Sequence, residues 1–165
     1  MTGGAIAAGL LLAALALATG FAQARQTIVA LALAIFLALA VVLIGVEAPS
    51  DVAFAGCWIS VVATVVPIYL PGSFPFRRFS LSWPALGANA GVWAGLVLPG
   101  DLLASRDLAG VLIILFLAAL SRFCVARGWP LVPRVVASWL LAVALLAGSI
   151  PYLVEHPGYV SDHQM

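Results

Sequence analysis

Lysine is absent from this chain, and charge of either sign is scarce. The 165 residues include seven basic side chains, all of them arginine, and six Asp and Glu. Charged residues make up 8% of the sequence, whereas a typical soluble domain has about 25%. So few charges exclude a nucleic-acid-binding protein, which needs a basic surface to contact phosphates. They also leave too few charged side chains to cover a soluble fold.

Cysteine is almost as rare. Cys57 and Cys124 are the two cysteines of the chain. The topology predicted below places them near opposite membrane faces, whereas a disulfide needs Cα atoms within about 7 Å of each other. We therefore interpret both as small apolar residues that fill space between helices.

Apolar residues dominate what is present. They make up 65% of the chain, and the mean hydropathy is +1.21. A helix that crosses a bilayer needs about 20 mostly apolar residues, and runs of this length must be helical because lipid offers no partners to unpaired backbone groups. We predict a single all-α domain, an integral membrane protein with six transmembrane helices, at residues 4–22, 27–46, 52–70, 84–103, 108–126 and 135–154.

The first segment has a second interpretation, as a signal peptide. The sequence Ala22-Gln23-Ala24 resembles a cleavage site. No positive charge precedes the apolar run, although a signal peptide normally carries one there. We expect the segment to be retained as the first helix.

The few charges sort cleanly if all six helices cross the membrane. Alternate connections then lie on the same side, and all six acids lie on one side together with Arg106. The other side carries no acid and the six remaining arginines, which are Arg25, Arg77, Arg78, Arg122, Arg127 and Arg134. Arginine-rich loops stay cytoplasmic. The pattern therefore predicts an inner (plasma) membrane protein with both termini outside, and a full crossing by the glycine-rich fourth segment.

The longest arginine-side loop, PGSFPFRRFSLSW at residues 71–83, joins charge to aromatic rings. Trp and Tyr favour the membrane interface, and arginines near the surface attract anionic lipids. We predict that Arg77, Arg78 and Trp83 contact lipid headgroups and fix the topology. The alternative is a site for an anionic substrate.

Small residues recur at helical spacing in two of the predicted spans. Gly87, Gly91 and Gly95, here called the glycine stripe, lie on one face of the fourth segment; Ala30, Ala34 and Ala38, the alanine stripe, lie on the second. Such faces let helices approach closely in lipid. We predict that the glycine stripe packs against a helix of this chain or of another protein; a pore lining is the alternative. Asn89 points away from the stripe and should find a hydrogen-bond partner across a helix interface.

The spans hold no Asp, Glu, Lys or His near their centres. Ion-coupled transport and catalysis usually need such groups in a pocket. We expect no catalytic residue, no cofactor and no metal. The tail residues His156, Asp162 and His163 are metal-ligand types, but their spacing alone does not predict a site.

Together these features favour a small, non-enzymatic accessory or structural subunit of a larger membrane complex. Its expected partners are membrane lipids and other membrane proteins or further copies of itself. A small oligomeric permease or exporter for an uncharged or weakly polar solute is the alternative. An enzyme that acts on lipid through Arg77 and Arg78 ranks third.

The charge pattern generates a test of topology. In a background with Cys57→Ala and Cys124→Ala, the variants Ser73→Cys and Ser161→Cys should react with a membrane-impermeant thiol reagent from opposite faces, because an odd number of crossings separates them. Labelling of intact and inverted vesicles measures this. Reaction of both variants from the same face would contradict six crossings.

Overall fold

Six α-helices make up the part of the chain that the structure describes. The computed structural model describes residues 3–70, 81–98 and 105–153. The helices are α1 (Gly3–Thr19), α2 (Ala24–Ile44), α3 (Ser50–Tyr69), α4 (Ser82–Val97), α5 (Ser105–Ala126) and α6 (Leu131–Leu153). These ranges contain no strand, so the predicted all-α class is confirmed.

The helices end where glycine or proline makes continuation unfavourable. Gly45 follows α2 with a φ of +69°, a left-handed conformation that glycine adopts without strain. Leu70 follows α3 and is extended, because the next residue is a proline and proline disfavours a helical residue before it. Leu98 is extended for the same reason, so α4 ends at Val97 rather than at the expected residue 103.

Helix α1 lies at the centre of the bundle. It contacts each of the other five helices. Leu11, Ala14 and Leu15 are 0% exposed, and the last residues of the helix are equally enclosed. From Ala14 onward the apolar residues of α1 therefore belong to the core on every side of the helix, whereas in its first half Ile6 is 49% exposed.

Pairs of contacting residues fix the relative directions of the helices. Asn89 on α4 meets Ser60 on α3, and Trp93 meets Gly56, so α3 and α4 are antiparallel. Helices α2 and α4 are parallel, because each glycine of the glycine stripe meets the alanine of the alanine stripe at the corresponding position, in the pairs Gly87 and Ala30, Gly91 and Ala34, and Gly95 and Ala38.

The remaining helices continue the alternation. The hydroxyl of Tyr69, the last residue of α3, reaches the carbonyl of Arg134 at the start of α6, and Trp58 lies beside Gly148, so α3 and α6 are antiparallel. Ser121 near the end of α5 reaches Leu17 near the end of α1. Consecutive helices therefore run in opposite directions throughout the bundle.

This alternation separates the charges. One end of the bundle, here called the arginine end, is formed by the last turns of α1, α3 and α5 and the first turns of α2, α4 and α6. Its described charged residues are Arg25, Arg122, Arg127 and Arg134. Glu47 and Asp51 lie at the opposite end, the acidic end.

The outer surface of the bundle has the composition of a membrane protein. Three described helices are long and apolar enough to cross a bilayer, at Ala24–Ile44, Ser50–Tyr69 and Leu131–Ser149. Their outward side chains are large and apolar: Phe36 on α2 is 65% exposed and Trp139 on α6 is 67% exposed. Monomeric soluble proteins rarely expose large continuous apolar patches. Helices of this kind confirm a membrane protein in general terms.

The contact between α2 and α4 generates a prediction about stability. Gly91→Ile should lower the melting temperature in detergent, because a Cβ atom at this position would lie 2.5 Å from the carbonyl oxygen of Ala34. Overpacking of this kind costs about 1–3 kcal/mol. Val92→Ile is the matched control, since Val92 is only half-buried and already β-branched. Equal melting temperatures for the two variants would contradict the close helix contact.

Candidate functional site

The glycine stripe of α4 is occupied by a helix of the same chain. All three glycines are buried, and so are the three alanines that face them. A Cβ atom added at Gly87 would overlap the carbonyl of Ala30, and one at Gly95 would lie 2.8 Å from the carbonyl oxygen of Ala38. The two backbones are in direct contact, so this face of α4 is closed to a second protein and lines no open channel.

Asn89 lies on another side of α4 and faces α3. Its Nδ2 donates a hydrogen bond of 2.9 Å to Oγ of Ser60. Its Oδ1 accepts a hydrogen bond of 3.1 Å from the indole Nε1 of Trp93. We call these three residues the Asn89 group. The amide thus uses both its donor and its acceptor inside the chain.

Neighbouring contacts hold the Asn89 group in place. The Trp93 ring covers Gly56 of α3, where any Cβ atom would overlap the ring. The Thr64 hydroxyl donates a hydrogen bond of 2.7 Å to the carbonyl of Ser60. None of these side chains titrates near neutral pH, so the group can orient helices but supplies no acid, base or nucleophile of ordinary strength.

Hydroxyl groups also join three helices at the arginine end. Oγ1 of Thr27 on α2 donates a hydrogen bond of 2.9 Å to the carbonyl of Thr19. Oγ of Ser121 on α5 donates one of 2.8 Å to the carbonyl of Leu17. The last carbonyls of a helix lack partners within it. At the end of α1 these carbonyls accept hydrogen bonds from backbone N–H groups of the following turn, and those of Thr19 and Leu17 also accept the hydroxyls of α2 and α5, which joins the three helices to one another.

Two arginines approach the turn between α1 and α2. Nη1 of Arg122, near the end of α5, donates a 3.4 Å hydrogen bond to the carbonyl of Ala22. The guanidinium of Arg134, near the start of α6, lies 5.8 Å from the centre of the Phe21 ring, within range of a cation–π interaction. Nε of Arg134 is buried and has no hydrogen-bond partner among the described residues.

The residues expected at lipid headgroups fall into two groups. Arg77 and Arg78 lie outside the described residues. Trp83 stands in the first turn of α4 and is 1% exposed. Its ring belongs to the core and has almost no surface to offer a headgroup.

Neither a metal site nor a disulfide occurs in the described part of the chain. Its ranges contain no group of three His, Cys, Asp or Glu side chains that could hold a metal ion. His156, Asp162 and His163 lie outside those ranges. Cys57 and Cys124 are buried and free.

A groove on the outside of the bundle separates α3 from α6. Its volume is about 310 Å³, and its walls are apolar. Ala55 and Trp58 line it from α3, and Ala144 and Gly148 line it from α6. An alanine or glycine on each wall leaves space that a side chain of another helix could enter.

Comparison with known proteins gives no family assignment. No protein-family model matches the chain, and neither a curated protein nor a solved structure is significantly similar to it.

The structure brings together several residues that sequence reasoning does not connect. The sequence neither identifies Ser60 as the partner of Asn89 nor places Arg134 beside Phe21. A serine or threonine within an apolar helix is a weak signal, because its hydroxyl can also bond to its own backbone. Ser138 does so, donating to the carbonyl of Val135. Whether a hydroxyl bonds to another helix or to its own backbone depends on the directions and rotations of the helices.

The Asn89 group generates a double-mutant prediction. Combining Asn89→Ala with Ser60→Ala should destabilise the protein by less than the sum of the single changes, because both remove the same hydrogen bond. The coupling energy should be about 0.6–2 kcal/mol, measured by unfolding in detergent. Asn89→Ala with Thr64→Ala is the control, since Thr64 bonds to the Ser60 backbone. Zero coupling in the first pair would contradict the contact.

Proposed function

We propose that this protein is a small accessory or structural subunit of a membrane complex, without enzymatic activity. In this proposal all six helices cross the inner membrane, the arginine end faces the cytoplasm and both termini face outward. The sorting of charges supports this orientation, because arginine-rich connections remain cytoplasmic.

The filled axis of the bundle carries the proposal. A permease needs a path between the two ends of the molecule, and the position of such a path within one chain is taken by α1. From Ala14 to Thr19 the helix is buried on every side, with Leu15 0% and Leu17 5% exposed, whereas Ile6 in its first half is 49% exposed. A solute could pass through the middle only if the central helix moved.

The hydrogen bonds that the polar side chains already make within the chain agree with a structural role. A solute site needs polar groups that are free to bind the solute. The Asn89 amide and the Trp93 indole already bind partners in the chain. The Ser121 and Thr27 hydroxyls likewise bind backbone carbonyls of α1.

The groove between α3 and α6 is our candidate surface for the partner subunit. The glycine stripe is occupied by α2, so an association with another protein needs a different face. At the groove, the described residue nearest to Gly148 is Trp58, whose Cβ lies 3.6 Å from the position that a new Cβ atom would take. A partner helix could therefore approach α6 closely at this point.

Filling the groove tests this assignment. Gly148→Leu should abolish co-purification of the partner subunit in mild detergent, because the leucine side chain would occupy the space that the partner enters. The melting temperature of the chain should change little, since the first added carbon makes only ordinary contacts. The measurement is the composition of the complex isolated from native membranes.

Gly110→Leu is the matched control, because Gly110 on α5 has open space around it. This variant should retain the partner. If both variants kept the same partners in the same amounts, the groove would not be the interface. If neither variant nor the wild-type chain co-purified with another protein or a second copy of itself, the subunit proposal would be wrong.

The alternative function remains a small oligomeric permease or exporter for an uncharged or weakly polar solute. Because α1 fills the axis, its path would have to run between protomers. Solute flux in vesicles that contain only this protein, lost in Gly148→Leu but not in Gly110→Leu, would favour the permease over the subunit.

A further inference from the structure

We propose that Arg122 and Arg134 form a binding site for the phosphate of an anionic phospholipid at the arginine end. The two side chains come from the end of α5 and the start of α6. They reach the same short turn between α1 and α2, at Ala22 and Phe21. Arginine is well suited to phosphate because its planar guanidinium presents several donors in a fixed geometry.

The site carries positive charge, and the connections around it supply no counter-ion. The three connections at the arginine end, residues 20–23, 70–81 and 127–130, contain no Asp or Glu anywhere in their sequence. No carboxylate of these connections can therefore neutralise the two guanidinium groups. A buried donor without a partner is unfavourable, and Nε of Arg134 is such a donor.

The backbone around the two arginines is held firmly. The Tyr69 hydroxyl donates a hydrogen bond of 2.6 Å to the carbonyl of Arg134, which joins the start of α6 to the end of α3. Ser121, next to Arg122, is bonded to the carbonyl of Leu17. Binding of a phosphate would then require ordering of side chains only, which lowers its entropic cost.

The surroundings favour a lipid over a soluble phosphate. Apolar side chains continue from the two arginines along the outer faces of α5 and α6. Leu115 on α5 is 44% exposed, and Leu131 and Val135 on α6 are 69% and 66% exposed. A phospholipid could place its phosphate between the arginines and its acyl chains against these faces. The proposed lipid site requires only that the arginine end lies at a membrane surface. It does not depend on the proposal that the chain is a subunit of a complex.

Lipid binding to the purified full-length protein tests the site. Native mass spectrometry in detergent would compare phosphatidylglycerol with phosphatidylcholine. We expect the wild-type chain to prefer phosphatidylglycerol. The pair Arg122→Gln and Arg134→Gln should weaken its binding by at least about tenfold, because it removes the charge-assisted hydrogen bonds that the two guanidinium groups would donate to the phosphate.

The pair Arg25→Gln and Arg127→Gln is the matched control, because it removes the same charge from the same end. Arg25 lines a cleft with Gln26 and Pro84, and the Arg127 guanidinium lies 5.0 Å from the centre of the Phe123 ring. The control should weaken binding by less than about threefold if its charges act only through the surface field. Equal losses in both pairs would mean general charge attraction and would overturn the site.

Competition with inorganic phosphate and a charge-conserving variant complete the test. Excess inorganic phosphate should not displace phosphatidylglycerol from the wild-type chain; displacement would indicate a site for soluble phosphate and overturn the lipid assignment. If the glutamine pair fails to fold, Arg134→Lys keeps the charge and removes the planar donor group. It should weaken binding by about fivefold, and unchanged affinity would overturn the proposal.

Discussion

The backbone contact between α2 and α4 is the constraint on which the rest of the bundle depends. Glycines at every fourth position remove the side chains that would hold the helices apart, and the alanine stripe supplies a shallow surface opposite them. Packing of this kind drives helix association in lipid, where apolar burial gives little. Once α2 and α4 are parallel and in contact, α3 must run in the opposite direction, which aligns Ser60 with Asn89.

Helix α4 is short for a membrane span. It has 16 residues, which correspond to about 24 Å at 1.5 Å per residue, whereas the hydrocarbon core of a bilayer is about 30 Å thick. Helix α2, with its large outward apolar residues, has 21. Helix α4 packs against α1, α2 and α3, and a helix that is enclosed by protein need not match the lipid.

Polar groups and charges occupy different parts of the bundle. Within the described ranges, some polar side chains of the interior bond to neighbouring helices, as Asn89 and Thr27 do, and others, such as Thr64, bond to their own helix. Charged residues stand at the ends: Arg25, Arg122, Arg127 and Arg134 at one, and Glu47 and Asp51 at the other, where α5 also begins with Arg106. The interior is therefore suited to helix packing, which supports the proposed role as a structural subunit. The arginine end has no carboxylate in its connections, which supports the proposed site for an anionic lipid.

The sequence by itself determined the helical class, the approximate helix positions and the separation of charges, because apolar runs and their flanking residues are local properties. It also marked the two small-residue stripes and Asn89 as residues of helix interfaces. Only the tertiary structure decided that the stripes meet each other, that Ser60 binds Asn89, that Trp83 is buried and that Arg134 lies beside Phe21. Periodicity gives the face of a helix on which a residue lies, whereas its partner depends on the order and rotation of all the helices around α1.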